Sequence, residues 1–195
     1  MARAIEDLSD LDIWIVDCSR LTMDDIRAVS VRMKQEHPNL SAIAVDYIGL
    51  MKKENAERND LAIGAISWGL KMLAKEIKTP VIALSQLSRS VESRDNKRPI
   101  NSDLRDSGSL EQDADRIVMV YRDGYYNEFS PAKDIIELLV TKNRFGKTGA
   151  VYQVFDDNGN ILPCNQDDAK IKVIRSMQTK SNNSDKGRRA AMRPE

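Results

Sequence analysis

The sequence predicts an α/β fold in which a mostly parallel sheet is flanked by helices and followed by a C-terminal β-hairpin. Three observations predict it. The short apolar runs Ile43-Ala44-Val45 and Val81-Ile82-Ala83-Leu84 read as strands buried on both faces. Segments with apolar residues three or four apart alternate with them, the pattern of a parallel sheet covered by helices. Further on, Ile135 to Thr141 and Ala150 to Phe155 flank a glycine-containing turn, as the arms of a hairpin do.

The elements follow in order. Ile13-Trp14-Ile15-Val16 reads as a first short strand. Thr22, with Asp25 three residues later, forms a capping-box pattern that opens a helix carrying Ile26, Val29 and Met33, and His37-Pro38 stops it. The lone histidine, His37, is assigned a structural role at that helix end. Ile43 to Val45 is the second strand and ends at Asp46. After a polar stretch, Lys52 to Asp60, a second helix places Leu61, Ala65, Ile66, Leu70, Leu73 and Ile77 at helical spacing, and Thr79-Pro80 ends it. The strand from Val81 leads through a charged loop, Ser88 to Asn101, to a short helical segment at Leu110 to Ala114 and a strand at Ile117 to Tyr121. From Gln166 the apolar period fades, so residues 1–165 are expected to form the domain and 166–195 a polar, basic, disordered tail.

Composition narrows the function. Thirty basic residues balance thirty acidic ones, so no global field draws the chain to nucleic acid or membrane, and any DNA contact must come from local placement of charge. The apolar runs fall far short of the roughly 20 residues needed to span a bilayer. Cys18 and Cys164 lie far apart without metal-ligand spacing, which fits unpaired thiols in a reducing cytoplasm.

The chemistry-bearing residues sit at strand ends and in loops. Asp46 ends an apolar strand, where open α/β sheets bind ligands, and there a carboxylate can hold Mg²⁺ against phosphates; an aspartate that only caps the strand is the alternative. Gln86 ends the next strand, where a neutral amide can sense a γ-phosphate or orient water. Gly146-Lys147-Thr148 imitates the end of a phosphate loop, but that loop needs glycine where Thr141 stands and a helix immediately afterwards, whereas Val151 to Phe155 alternate as a strand. Lys142 and Arg144 project from one face of an extended segment, a geometry suited to reaching a phosphate across a subunit interface. A solvated basic turn is the alternative. Arg105, Asp106 and Gly108 bring a cation, a small polar residue and a glycine to a helix start, where backbone N–H groups can hold a phosphate without reading a base. No aromatic lies within Asp103 to Asp115, so base stacking is not indicated there. A loop closed by its own hydrogen bonds is the alternative reading.

Four features together resemble the C-terminal motor domain of DnaB-type replicative DNA helicases. They are the run Val81 to Arg89, the signature Asp103 to Asp115, Tyr121-Arg122-Asp123, and the Lys142-x-Arg144 hairpin. The resemblance spans about residues 10–160 in the family's order. It implies a RecA-like fold and, in the complete family member, a homo-hexameric ring that uses ATP and Mg²⁺ to translocate 5′ to 3′ on single-stranded DNA in replication. It makes Asp46 the Walker B aspartate and Mg²⁺ holder, and Gln86 the phosphate sensor. Lys142 and Arg144 would act on the neighbouring subunit's ATP, and Arg105, Asp106 and Gly108 would lie on the central DNA loop. Primase and a helicase loader are implied partners, and no membrane is.

The family's Walker A loop and catalytic glutamate are expected upstream of Met1. Gly49 stands where glutamine is common, Trp68 where arginine is common, and Asp106 where glutamate is frequent. The chain alone is therefore expected to be inactive as an ATPase. A non-enzymatic module that joins and regulates a hexameric helicase is the alternative function.

Overall fold

The computed structural model describes residues 11–52, 59–104 and 107–191, in two compact units, Met1–Leu84 and Ser85–Glu195. In the first unit, α1 (Met23–Glu36) starts at the capping box read from sequence. Asp25 N–H donates to Thr22 Oγ1 at 3.1 Å, and Thr22 N–H donates back to Asp25 Oδ2 at 2.9 Å. At the other end His37 N–H donates to the Met33 carbonyl at 2.8 Å, and the imidazole lies 4.1 Å from the Trp14 ring. β1 (Ile43–Val45) and β2 (Val81–Ala83) pair in parallel, Ala44 opposite Ile82. α2 (Asn59–Glu76) crosses between them and buries Ala62, Ile63, Ile66, Leu70 and Leu73. Leu61 and Ala65, expected on that face, are exposed instead, because the apolar arc centres on Ile63 and Ile66. Gly69 lets the helices approach: a Cβ there would stand 2.6 Å from Met23 Cγ and 2.9 Å from its sulfur.

Two further expectations change. Residues 13–16 run irregular and exposed rather than as a strand, since apolar β-branched residues become a strand only where a partner accepts their hydrogen bonds. Nor are the parallel strands buried on both faces among the described residues, for Ile82 is 53% exposed.

Arg27 and Glu76 join α1 to α2 through a bidentate pair at 2.8 and 2.6 Å. The Arg27 hydrogen bond lowers the Glu76 pKa from its ordinary 4.5, and the Thr22 side-chain hydrogen bond lowers that of Asp25 from 3.8. A carboxylate whose pKa falls on folding stabilises the fold above its ordinary pKa and loses that contribution as pH drops through the lowered value. Melting temperature is therefore expected to fall as pH goes from about 5 towards 2. Added salt should weaken the exposed Arg27–Glu76 part of this dependence.

In the second unit, α3 (Ser107–Asp113) precedes a four-stranded antiparallel sheet of β3 (Arg116–Arg122), β4 (Ile135–Asn143), β5 (Gly149–Phe155) and β6 (Ile161–Pro163), in the order β3-β4-β5-β6. The expected hairpin is β4–β5, Ile136 facing Gln153, with Gly146-Lys147-Thr148 in the connection and a strand after it. β3 turns Ile117, Met119 and Tyr121 inward and Val118 and Val120 outward, the period-2 pattern of a sheet packed on one face.

Where a disordered tail was expected from 166, the described residues to 191 form a helix. α4 (Gln166–Ala191) begins after Asn165, whose side-chain oxygen accepts the N–H groups of Asp167 at 3.0 Å and Asp168 at 3.1 Å. Ala169 and Val173 are buried with Ala132 and Ile135, and Tyr152, Val154 and Cys164 pack around them. Among its described side chains, Ala169, Val173 and Ser176 are the buried ones, a stripe of small residues too sparse to register as an apolar period. No helix among the described residues is long and apolar enough to cross a membrane.

Candidate nucleotide and DNA site

Asp46 follows directly on β1, with its side chain exposed. Its peptide bond to Tyr47 is cis. The backbone around it is tied to the end of β2, with Leu84 N–H donating to the Val45 carbonyl at 3.0 Å and Ile48 N–H to the Leu84 carbonyl at 3.1 Å. Among the described residues no three His, Cys, Asp or Glu side chains converge as a metal cage. A lone accessible carboxylate fits Mg²⁺, a hard cation that keeps its waters and takes one or two carboxylates plus substrate phosphates.

Gln86 belongs to the second unit and is exposed. Immediately after it Leu87 forms an antiparallel bridge with Leu104, and Ser88 N–H donates to the Asp103 carbonyl at 2.7 Å. Asp103, only 4% exposed, accepts Arg94 at 2.6 Å and Ile100 N–H at 2.8 Å. Asn101 Nδ2 donates to Glu111 Oε1 at 2.9 Å. The chain leaving Gln86 is thus hydrogen-bonded to the chain entering the signature loop. Arg105 and Asp106 lie outside the described residues. Gly108 is exposed on α3, and a Cβ built there meets nothing within 4 Å among the described residues, so packing against them does not require glycine.

Lys142, near the end of β4, and Arg144, in the turn just past it, reach a common carbonyl. Lys142 Nζ donates to the carbonyls of Glu111 and, at 3.2 Å, Gln112. Arg144 pairs with Asp115 at 3.1 Å and reaches the same Gln112 carbonyl at 3.5 Å, and its main-chain N–H donates to the Asp115 carbonyl at 2.8 Å. In unit two, then, Lys142 and Arg144 meet the end of the helix that carries Gly108, while Asp46 lies in unit one.

Sequence reasoning missed a buried ion pair in the second unit. Arg98 donates to both Glu137 oxygens, at 2.9 and 2.7 Å, with its guanidinium 4.7 Å from the Tyr121 ring. Tyr121 Oη and Ser130 Oγ each donate to Asp123 at 2.5 Å. Burial first, then the Asp123 hydrogen bond, raises the Tyr121 pKa and keeps the phenol a donor. Burial works against the Arg98 charge, yet the bond to Glu137 and its charge leave the Arg98 pKa raised. Arg98 and Glu137 stand 39 residues apart, and no local spacing marks them as partners.

The family model for the DnaB-like helicase C terminal domain matches residues 1–161. The chain belongs to that family. Replicative DNA helicase DnaB from Buchnera aphidicola subsp. Acyrthosiphon pisum (strain APS) is 49% identical over 150 residues, covering 76% of this chain and 33% of that protein. The same helicase from Geobacillus stearothermophilus is 46% identical over 160 residues, 80% of this chain and 34% of that protein. The chain thus spans about a third of the length of these relatives. Among solved structures, an isolated ATPase domain superposes with a TM-score of 0.80 at 39% identity, covering 84% of this chain and 59% of the other. A DnaB-like replicative helicase, solved with its interactions with primase as the subject, gives the same TM-score and identity over 84% of this chain and 40% of the other. This DnaB-like chain therefore has the expected α/β fold, with a parallel sheet and helices plus an antiparallel sheet.

Proposed function

We propose that this DnaB-like chain is the C-terminal part of a replicative helicase motor that couples ATP hydrolysis to 5′ to 3′ movement on single-stranded DNA and to duplex unwinding. The observation that supports it best is the placement of Lys142 and Arg144, side by side and partly exposed at a hairpin end, in a chain that matches the family over residues 1–161. In this reading residues 1–165 form one portion of the motor domain and work in a cytoplasmic homo-hexamer with primase and a loader as partners. Asp46 holds Mg²⁺, which when bound neutralises phosphate charge. Gln86 senses the γ-phosphate. Lys142 and Arg144 reach ATP on the adjacent subunit, and Arg105, Asp106 and Gly108 track the DNA backbone. A second reading is a module that joins complete subunits and regulates them, for which the exposed Arg144 side chain at the hairpin end is equally suited.

The test mixes the chain with full-length Geobacillus stearothermophilus DnaB in which the residue at the position matching Arg144 has been changed to alanine so that its own turnover is lost. The chain alone is expected to give no DNA-stimulated hydrolysis, because phosphate-loop amides and lysine supply most of the triphosphate grip. Added to the deficient relative, it should restore turnover by supplying Arg144. Hydrolysis by the chain alone that disappears on Asp46→Ala, or no restoration at excess chain, overturns the reading.

Gly108→Ala separates packing from binding. With open space around Gly108, the substitution should leave the fold intact or stabilise it by up to about 1 kcal/mol, the helix cost of glycine. Single-stranded DNA binding by the mixed assembly should nevertheless weaken, because a methyl group keeps phosphate from the backbone amides. Melting curves and oligonucleotide anisotropy measure the two effects.

A further inference from the structure

We propose that Asp115 and the C-terminal carbonyls of α3 form a dock that positions Lys142 and Arg144, and that engaging a phosphate transfers these cations off the dock. The proposal rests on the reading above, in which the pair serves a neighbouring nucleotide. Its basis is what the two side chains touch within their own chain. α3 ends at Asp113, so its last carbonyls lack helical partners and carry the negative end of the helix. Lys142 satisfies two of them, at Glu111 and Gln112. Arg144 is fixed at three points, through its main chain and one guanidinium nitrogen to Asp115 and through a second nitrogen to Gln112.

The register explains why these groups meet. Ile117 pairs with Lys142 and Arg116 with Asn143, so the end of β4 lies beside the start of β3, directly after Asp115. The dock offers one carboxylate and neutral carbonyls. A polyphosphate offers several charges to the same donors, and charge-assisted bonds to anions are the stronger ones. The Arg144 side chain remains 48% exposed, open to such an anion. Asp115 therefore acts as a positioning residue: until a phosphate arrives it holds Arg144 beside Lys142, so that the two cations are presented together. Release of Lys142 uncaps the helix that begins beside Gly108, so an event at the hairpin is felt at α3.

Hydrogen exchange on the full chain tests the dock without reference to function. Lys142→Met is expected to speed exchange at residues 112–114 roughly tenfold while the β4–β5 amides stay protected. Unchanged exchange at α3 overturns the dock. If protection falls throughout the sheet, Lys142→Arg decides, since it keeps a cation at the same carbonyls and must restore α3.

The deficient-relative assay tests positioning. Asp115→Asn is expected to lower kcat roughly tenfold with KM for ATP unchanged, and Asp115→Glu to recover most of it. Equal kcat for wild type and Asp115→Asn overturns positioning. Indifference to Arg144→Ala would instead remove the functional reading and the transfer with it, while the exchange data separately report the dock.

Discussion

Replacing Arg98 with methionine is expected to destabilise the second unit by about 3–5 kcal/mol, the cost of leaving a buried charge without its partner. Glu137 is 1% exposed and Arg98 9% exposed, and each satisfies the other through two hydrogen bonds. Methionine fills much of the same volume but offers no donor. Glu137 would then stand in the core as an unpaired carboxylate among Tyr121, Asp123 and the strands beside it. The pair itself adds little net stability, because desolvating two ions offsets most of their attraction. It follows that Arg98→Met with Glu137→Leu should recover most of the loss. Urea midpoints of the two single variants and the double give the coupling directly. A single-variant loss below about 1 kcal/mol would show that water reaches Glu137.

Arg144→Ala should have the largest effect on catalysis. At an interface where this chain supplies the cation, turnover is expected to fall by about 10³–10⁵, the range for an arginine that neutralises charge developing on a transferring phosphoryl group. The loss should appear in kcat, because the charge it opposes is greatest in the transition state. Arg144→Lys should recover only a part, since an ammonium cannot reproduce the planar fork that also meets Asp115 and the Gln112 carbonyl. Steady-state hydrolysis by the deficient relative with each variant provides the measurement. Equal turnover with wild type and Arg144→Ala would assign Arg144 to the fold alone.

What could be read from sequence was mostly what is local. The Thr22–Asp25 box is a contact across three residues, and its outcome depends little on the rest of the chain. The hairpin announces itself by alternation about a glycine turn, which also shows why Gly146-Lys147-Thr148 is no phosphate loop. Strand alternation points to Lys142 and Arg144 as a pair, but Arg144 lies in the turn past β4, and nothing in their spacing names Glu111, Gln112 and Asp115 as the groups they touch. Residues 13–16 mislead because composition reports strand propensity and not the presence of a partner strand. For α4 a usable signal was present: Asn165 followed by Asp167 and Asp168 is a helix start, with a capping side chain and acidic first turn. Arg98 carried no signal at all, since an arginine in a charged loop is ordinarily solvated.

The contact between Met23 and Gly69 has a chemical consequence. Met23 is half-buried, and its Cγ and sulfur fill the space where a side chain on Gly69 would begin. Oxidation to the sulfoxide would place a polar, chiral oxygen on the thioether that packs against Gly69. An oxidant would thus act on the seam between the first two helices as a small wedge, one that a methionine sulfoxide reductase can withdraw.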